Sequence, residues 1–328
     1  MSDAADRHAS PEQLVTLPSG VELCFQTFGD PDATPLLLVM GLSGPMTWWP
    51  LGLCHRLVDE GFFVVRYDNR DTGRSTKLDR HRVSRRHLVR AALGRRVPAP
   101  YTLSDLAEDG LGILDHLGLR AAHVAGVSMG GMIAQTMAVE HPDRVLSLTS
   151  IMSTTGRRLS GYQDPMLLPA LLRRAARTKE QYVEGSLMFW RRIASPGYPT
   201  TDEAARERAA ETWDRGVSYT GSARQILAIL TQADRTARLA QVRVPTTVVH
   251  GLKDRMVHVS GGRATARAIP GAELRLVPGM GHDIPEGLFD QLVDAISSSA
   301  RRSSRAPSEA HRHGTSAPPS SSAGAPAT

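Results

Sequence analysis

Ser128 stands between glycines in HVAGVSMGGMIAQ, residues 123–135, where an apolar run gives way to a helical pattern. A serine hydroxyl is a poor nucleophile until a base takes its proton, so chemistry at this position needs a histidine and an acid to orient it. Two later stretches supply them in the chain order Ser, Asp, His. In VVHGLKDRMV, Asp254 lies in the loop that follows an apolar run; in LRLVPGMGHDIP, His282 lies in a Gly-rich loop after another. His258 and His250 are rival bases, but His258 follows the acid by only four residues and His250 belongs to a strand pattern. Asp283 is a rival acid, adjacent to His282 and ill placed to reach the far ring nitrogen. After the preceding strand, Ser150 to Thr155 holds no acid at all. The expected set is Ser128 as nucleophile, His282 as base and Asp254 as the orienting acid.

Acyl transfer also needs donors for the oxyanion that develops on the attacked carbonyl. The backbone N–H of Met129, next after the serine, is one. The second is expected from the loop GLSGPMTWWP that follows LLLVM, at the N–H of Leu42. Trp48, Trp49, Met188 and Trp190, with Met46, Phe189 and Trp213, are candidates to line an apolar substrate pocket; the plainer alternative is that most of them are packing core.

A lone GxSxG arises by chance and counts only where a strand, a turn and a helix surround it. Here His123–Val127 reads as the strand, Ser128 as the turn, and Met129 onward as a helix, with Met132, Ile133, Thr136 and Met137 at helical spacing before Pro142 ends it. Gly126 and Gly130 suit a turn so sharp that the backbones leave no room for side chains. A serine N-cap among small neighbours is the plain alternative.

The elements that must position these groups alternate along the chain. Strand-like runs fall at Val21–Phe28, Leu36–Met40, Phe62–Tyr67, Ala122–Val127, Val145–Ile151, Thr246–His250 and Glu273–Val277, and the middle ones are almost continuously apolar. Helical patterns fall at Trp49–Glu60, Leu103–Leu117, Met129–Glu140, Gly262–Ala268 and Leu288–Ser297. This alternation predicts an α/β fold with a mostly parallel sheet covered on both faces. Residues 154–239 break the rhythm with charged, helical sequence, which reads as a helical cap inserted between core segments 11–153 and 240–297. Residues 1–10 and 298–328 are poor in apolar residues, and both are expected to be disordered.

The net charge of +6 over 328 residues comes from clustered arginines, at Arg80–Arg96 and again from Arg301, with no aromatic-rich or helix-turn-helix context around them. Nucleic-acid binding is therefore not expected. The segment Ser84–Arg96 is basic and amphipathic, suited to an exposed helix over an entrance or to weak contact with an anionic lipid surface. Two cysteines, Cys24 and Cys54, cannot make a zinc site, and no metal is expected. With no signal-peptide pattern and no run long enough to span a bilayer, a soluble cytoplasmic protein acting on a small-molecule ester is expected.

Taken together, LLLVMG, RYDNRDTGRST and GVSMGGMIAQ resemble the α/β-hydrolase superfamily, and within it the subgroup of carboxylesterases like aclacinomycin methylesterase. The resemblance spans about Leu14 to Ser297. It implies an eight-stranded sheet, a helical cap and cofactor-free ester hydrolysis, with Ser128, Asp254 and His282 in the catalytic positions. A serine at the elbow argues against the dehalogenases and epoxide hydrolases of this fold, which use aspartate there. Lipases, phospholipases and thioesterases use the same three residues, and a receptor that only binds ligand does not need all three. Many members carry His-Gly ahead of the oxyanion loop, where this chain has Met40-Gly41. In RYDNRDTGRS, Asp68, Arg70 and Ser75 read as groups that lock a loop.

Overall fold

The structure, a computed structural model, describes residues 9–167 and 175–305. Its centre is a sheet of eight strands: β1 (Gln13–Thr16), β2 (Glu22–Phe28), β3 (Thr34–Val39), β4 (Phe62–Tyr67), β5 (Ala122–Val127), β6 (Val145–Ile151), β7 (Thr246–Gly251) and β8 (Glu273–Val277). They lie in the order β1-β2-β4-β3-β5-β6-β7-β8; β2 runs antiparallel to β1 and β4, and the pairs from β4 to β8 are parallel. The C-terminal ends of β3, β5, β6, β7 and β8 therefore share one edge, which is where ligands bind in open α/β sheets.

Successive residues of a strand face opposite sides of the sheet, and two cores follow from that alternation. Leu37, Val39 and Val65 pack on one side against α3 (Leu103–His116) and α4 (Met129–Glu140) through Leu106, Leu111, Ile133 and Met137. Leu36, Leu38 and Val64 pack on the other against α1 (Leu51–Asp59) and the last helix (Phe289–Arg305), through Leu53, Leu57, Leu292 and Ile296. Every residue of β4 and β5 is buried, which is why these strands are nearly unbroken apolar runs.

Between β6 and β7 lie the cap helices α5 (Lys179–Ile193), α6 (Asp202–Asp214), α7 (Tyr219–Thr231) and α8 (Thr236–Leu239). The first three begin at Thr178, Thr201 and Ser218, whose hydroxyls accept hydrogen bonds from the N–H groups of Gln181, Ala204 and Gly221. Residues 168–174 of the expected cap lie outside the described residues. The basic segment after β4 forms α2 (Arg85–Ala92), which packs on α7, Ala91 clustering with Leu227 and with Val97 of the following loop. No helix among the described residues is long and apolar enough to cross a membrane.

The structure departs from the sequence reading most at one edge of the sheet and at the two ends of the described chain. The edge strand β1 was absent from it because QLVT buries only Val15 and carries no alternation long enough to register. The last helix does not stop at Ser297 but runs to Arg305, so Ser298–Arg305 is ordered helix rather than tail. Polar contacts to the sheet hold that extension: Ser299 Oγ lies 2.9 Å from Thr149 Oγ1, and Arg302 donates to Thr246 O and Thr247 Oγ1, both at 2.8 Å. At the other end, Ser10 is not free either; its N–H donates to Thr27 O at 2.8 Å, and its hydroxyl accepts from the Thr27 N–H at 3.0 Å. Residues 1–8 and 306–328 lie outside the described residues.

Candidate active site

Ser128 joins β5 directly to α4 and adopts φ 56°, ψ −116°, a left-handed backbone that non-glycine residues avoid. Neighbours hold it there. Its N–H donates to Ile151 O at 2.9 Å, and its carbonyl accepts from Ser153 Oγ at 2.7 Å and from the Met132 N–H at 3.2 Å. The flanking glycines are required by distance rather than by flexibility. A Cβ on Gly126 would fall 2.1 Å from Gly130 O, and one on Gly130 would fall 2.0 Å from Val39 O.

His282 and Asp254 arrive from the ends of β8 and β7. His282 Nε2 lies 3.0 Å from Ser128 Oγ, and His282 Nδ1 lies 2.8 Å from Asp254 Oδ2. Asp254 is buried, and its other oxygen accepts from the N–H groups of Met256 and Val257 at 2.9 and 2.8 Å. Burial alone would raise its pKa; the charge of His282 and hydrogen bonds from His250 and His282 outweigh that and hold it at about 2. The His282 loop is itself pinned to the cap, because the His282 N–H donates to Ile193 O at 2.7 Å. None of the rivals contacts Ser128 Oγ, although His250 Nε2 lies 3.5 Å from Asp254 Oδ2. His250 is fully buried, with Nε2 on Val257 O; His258 stacks on Tyr162; and Asp283 accepts from the N–H and hydroxyl of Ser195.

The loop after β3 passes close to Ser128: a Cβ on Gly41 would lie 3.2 Å from Ser128 Cβ. Among the described residues, no acceptor takes the N–H of Leu42 or of Met129. Several groups that fix this loop have no local signature in the sequence. Gln225, on α7, accepts the Ser43 N–H at 2.8 Å and donates to Arg70 O and Thr72 Oγ1; Asn69 donates to Met40 O at 2.9 Å. Asp68 accepts from the N–H of Met46 at 2.6 Å and of Arg74 at 2.8 Å, while Ser75 Oγ donates to Asp68 O and Arg70 pairs with Asp109 through both oxygens. Two cap arginines reach the loop after β4, Arg215 to Asp68 at 2.7 Å and Arg224 to both oxygens of Asp71 at 2.7 and 2.8 Å. Burial pushes the Asp71 carboxyl up, but Arg224, the Leu78 N–H and Tyr101 outweigh it and hold it below the usual range.

A cavity of about 1850 Å³ opens beside Ser128 and His282, bounded by the loop after β3, the cap and the residues after α2. Trp48, Met188 and Trp190 line it. Trp49 does not, a correction to the sequence reading: it is fully buried in the core beneath, with Leu53 and Phe28, and its carbonyl accepts from Arg66. Met46 is buried in the same way. The short 3₁₀ turn Met46–Trp48 sends the two adjacent indoles in different directions, and Trp48 Nε1 donates to Thr212 Oγ1 of α6 at 2.9 Å.

Comparison with known proteins agrees with this architecture. The family model described as alpha/beta hydrolase fold matches residues 34–286. Rhodomycin D methylesterase of Streptomyces peucetius is 30% identical over 310 residues, covering 89% of this chain and 98% of that enzyme. Among solved structures, an enol-lactonase from Burkholderia xenovorans superposes with a TM-score of 0.64 at 22% identity, over 88% of this chain and 100% of the other. A thermophilic esterase from Thermogutta terrifontis gives 0.65 at 23%, over 90% and 99%. The two structural likenesses speak to the fold, and the family match spans most of the chain: this protein belongs to the alpha/beta hydrolase fold family.

Proposed function

We propose that this chain is a serine hydrolase that cleaves a carboxylic ester through an acyl-enzyme. The observation that carries this reading is the unbroken chain of contacts from Ser128 Oγ to His282 Nε2 at 3.0 Å and from His282 Nδ1 to Asp254 at 2.8 Å. Ser128 Oγ attacks the ester carbonyl as its proton passes to His282 Nε2. Asp254, ionised because its carboxyl is held at about 2, keeps the Nδ1 proton in place and balances the imidazolium. The oxyanion is received by the N–H groups of Met129 and Leu42, each such donor being worth on the order of 10²–10³ in kcat. Collapse expels the alcohol, protonated by His282. Water, deprotonated by the same histidine, then attacks the acyl group and frees the acid.

The small-alcohol form of this reading, hydrolysis of a methyl ester, draws support from the relative named as a methylesterase, which matches along nearly its whole length. The test is turnover of 4-nitrophenyl esters from acetate to palmitate by the wild-type chain and by Ser128→Ala. Loss of turnover and of fluorophosphonate labelling in a folded Ser128→Ala is the expected result. Full activity in that variant refutes the assignment of Ser128. A long-chain optimum moves the substrate class from small esters to lipids.

A further inference from the structure

The cavity beside Ser128 carries a cation that the esterase reading leaves without a task. Arg208, on α6, lines it together with Trp48 and Trp190. Its guanidinium carbon lies 4.7 Å from the centre of the Trp190 ring and 5.6 Å from that of Trp48, and the two indoles meet edge to face at 5.1 Å. This corner is braced. Thr212, one turn further along α6, accepts from Trp48 Nε1 and donates to Arg208 O at 2.7 Å.

No carboxylate among the described residues lies within salt-bridge distance of Arg208, and the one side-chain hydrogen bond it takes part in there is at its backbone carbonyl, not at a side-chain nitrogen. The carboxylates that line the same cavity are already engaged: Asp71 with Arg224, Glu184 with Arg206, and Asp283 with Ser195. Burial pushes the Arg208 pKa down, partly offset by the more distant charge of Asp283, the residue next to His282. A guanidinium stays protonated even so. The guanidinium sits over two indole rings, and its planar fork of N–H donors has no acceptor among the described residues.

We infer that Arg208 is a specificity-determining residue that receives a carboxylate carried by the substrate, so that the preferred ester is a half-ester or an ester with a second, ionised carboxyl group. A planar carboxylate matches the guanidinium edge in two parallel hydrogen bonds, and the apolar part of such a substrate lies along Trp48 and Trp190 toward Ser128. The inference rests on the esterase reading for the identity of the substrate as an ester.

Binding separates the two. In Ser128→Ala, the monomethyl and dimethyl esters of dicarboxylic acids from glutarate to suberate are titrated against the fluorescence of the four tryptophans, of which Trp48 and Trp190 line the cavity and Trp49 and Trp213 give a background common to all ligands. Arg208→Gln in that background is expected to weaken the best half-ester by at least about tenfold, as loss of a charge-assisted pair does, while the matching diester changes far less. Arg208→Lys, which keeps the charge without the planar fork, retains part of the preference. Added salt weakens half-ester binding alone in the Arg208 protein, a measurement that needs no substitution at Arg208. Equal losses for half-ester and diester, or a half-ester that binds no better with Arg208 than without it, overturn the inference. Failure of the wild-type chain to hydrolyse any ester, with this binding intact, refutes the esterase reading and leaves the carboxylate site standing.

Discussion

Gly130→Ala tests whether close approach of backbones is what sets the chemistry at Ser128. The added Cβ would lie 2.0 Å from Val39 O, 2.6 Å from Val39 C and 2.8 Å from Met40 O. Contact there becomes ordinary only beyond 3.4 Å, so the nearest pair must separate by 3.4 − 2.0 = 1.4 Å, and all three atoms are backbone. The elements forced apart are the end of β3, which leads into Leu42, and the start of α4, which carries the Met129 N–H. Overpacking of this kind costs about 1–3 kcal/mol, and a misplacement of about 1 Å at reacting groups costs about 10²-fold. We expect kcat for a short-chain 4-nitrophenyl ester to fall by about 10²–10³, with KM little changed, because the lost donors matter most in the transition state. Urea unfolding followed by circular dichroism should show the accompanying loss of stability. Gly185→Ala is the control: a Cβ there meets nothing within 4 Å, and in the middle of α5 it should leave kcat unaltered and raise stability by about 0.5–1 kcal/mol rather than lower it. A Gly130→Ala enzyme with kcat within about threefold of wild type would refute the claim that this contact positions the oxyanion donors.

Asp254→Asn is expected to lower kcat by about 10⁴, through loss of the imidazole's orientation and charge balance. The same variant has a pH signature: the Asp254 carboxyl is depressed from 3.8 to about 2, so its contribution to stability is present above the unfolded value and is lost as pH falls through about 2. That amounts to about 2 kcal/mol, and thermal unfolding between pH 5 and pH 2 should fall less steeply in Asp254→Asn than in wild type. Arg224→Met strands the buried Asp71 carboxylate, whose other partners are the Tyr101 hydroxyl and the Leu78 N–H at 2.8 Å each. We expect a loss of about 3–5 kcal/mol in urea unfolding, largely relieved when Asp71→Asn is added, and a cost below about 1 kcal/mol would show that the pair does not anchor the cap.

Ser128, Asp254 and His282 were legible in the sequence because each follows a strand of a parallel sheet. In such a sheet, strand ends converge on one edge whatever the loops between them do, so chain order alone brings the three together. The strands were legible for a related reason, since burial on both faces leaves FFVVRY and AHVAGV mostly apolar, with Arg66 and His123 as buried exceptions that find hydrogen-bond partners in Trp49 O and Ser147. Where that pressure is absent, as in the edge strand QLVT or the serine-rich end of the last helix, local composition misleads, and contacts with Phe25 or Thr149 decide the structure. The pocket was the least readable part. Trp48 and Trp49 are neighbours with the same side chain, yet one faces the cavity and the other the core because of a three-residue turn whose orientation depends on Asp68 and Thr212. Gln225, Arg224 and Arg208 act on loops or indoles that lie 18 to 182 positions away in the chain. No spacing rule reaches that far, because an irregular cap is placed by its own packing and its buried ion pairs, and these exist only once the chain has folded.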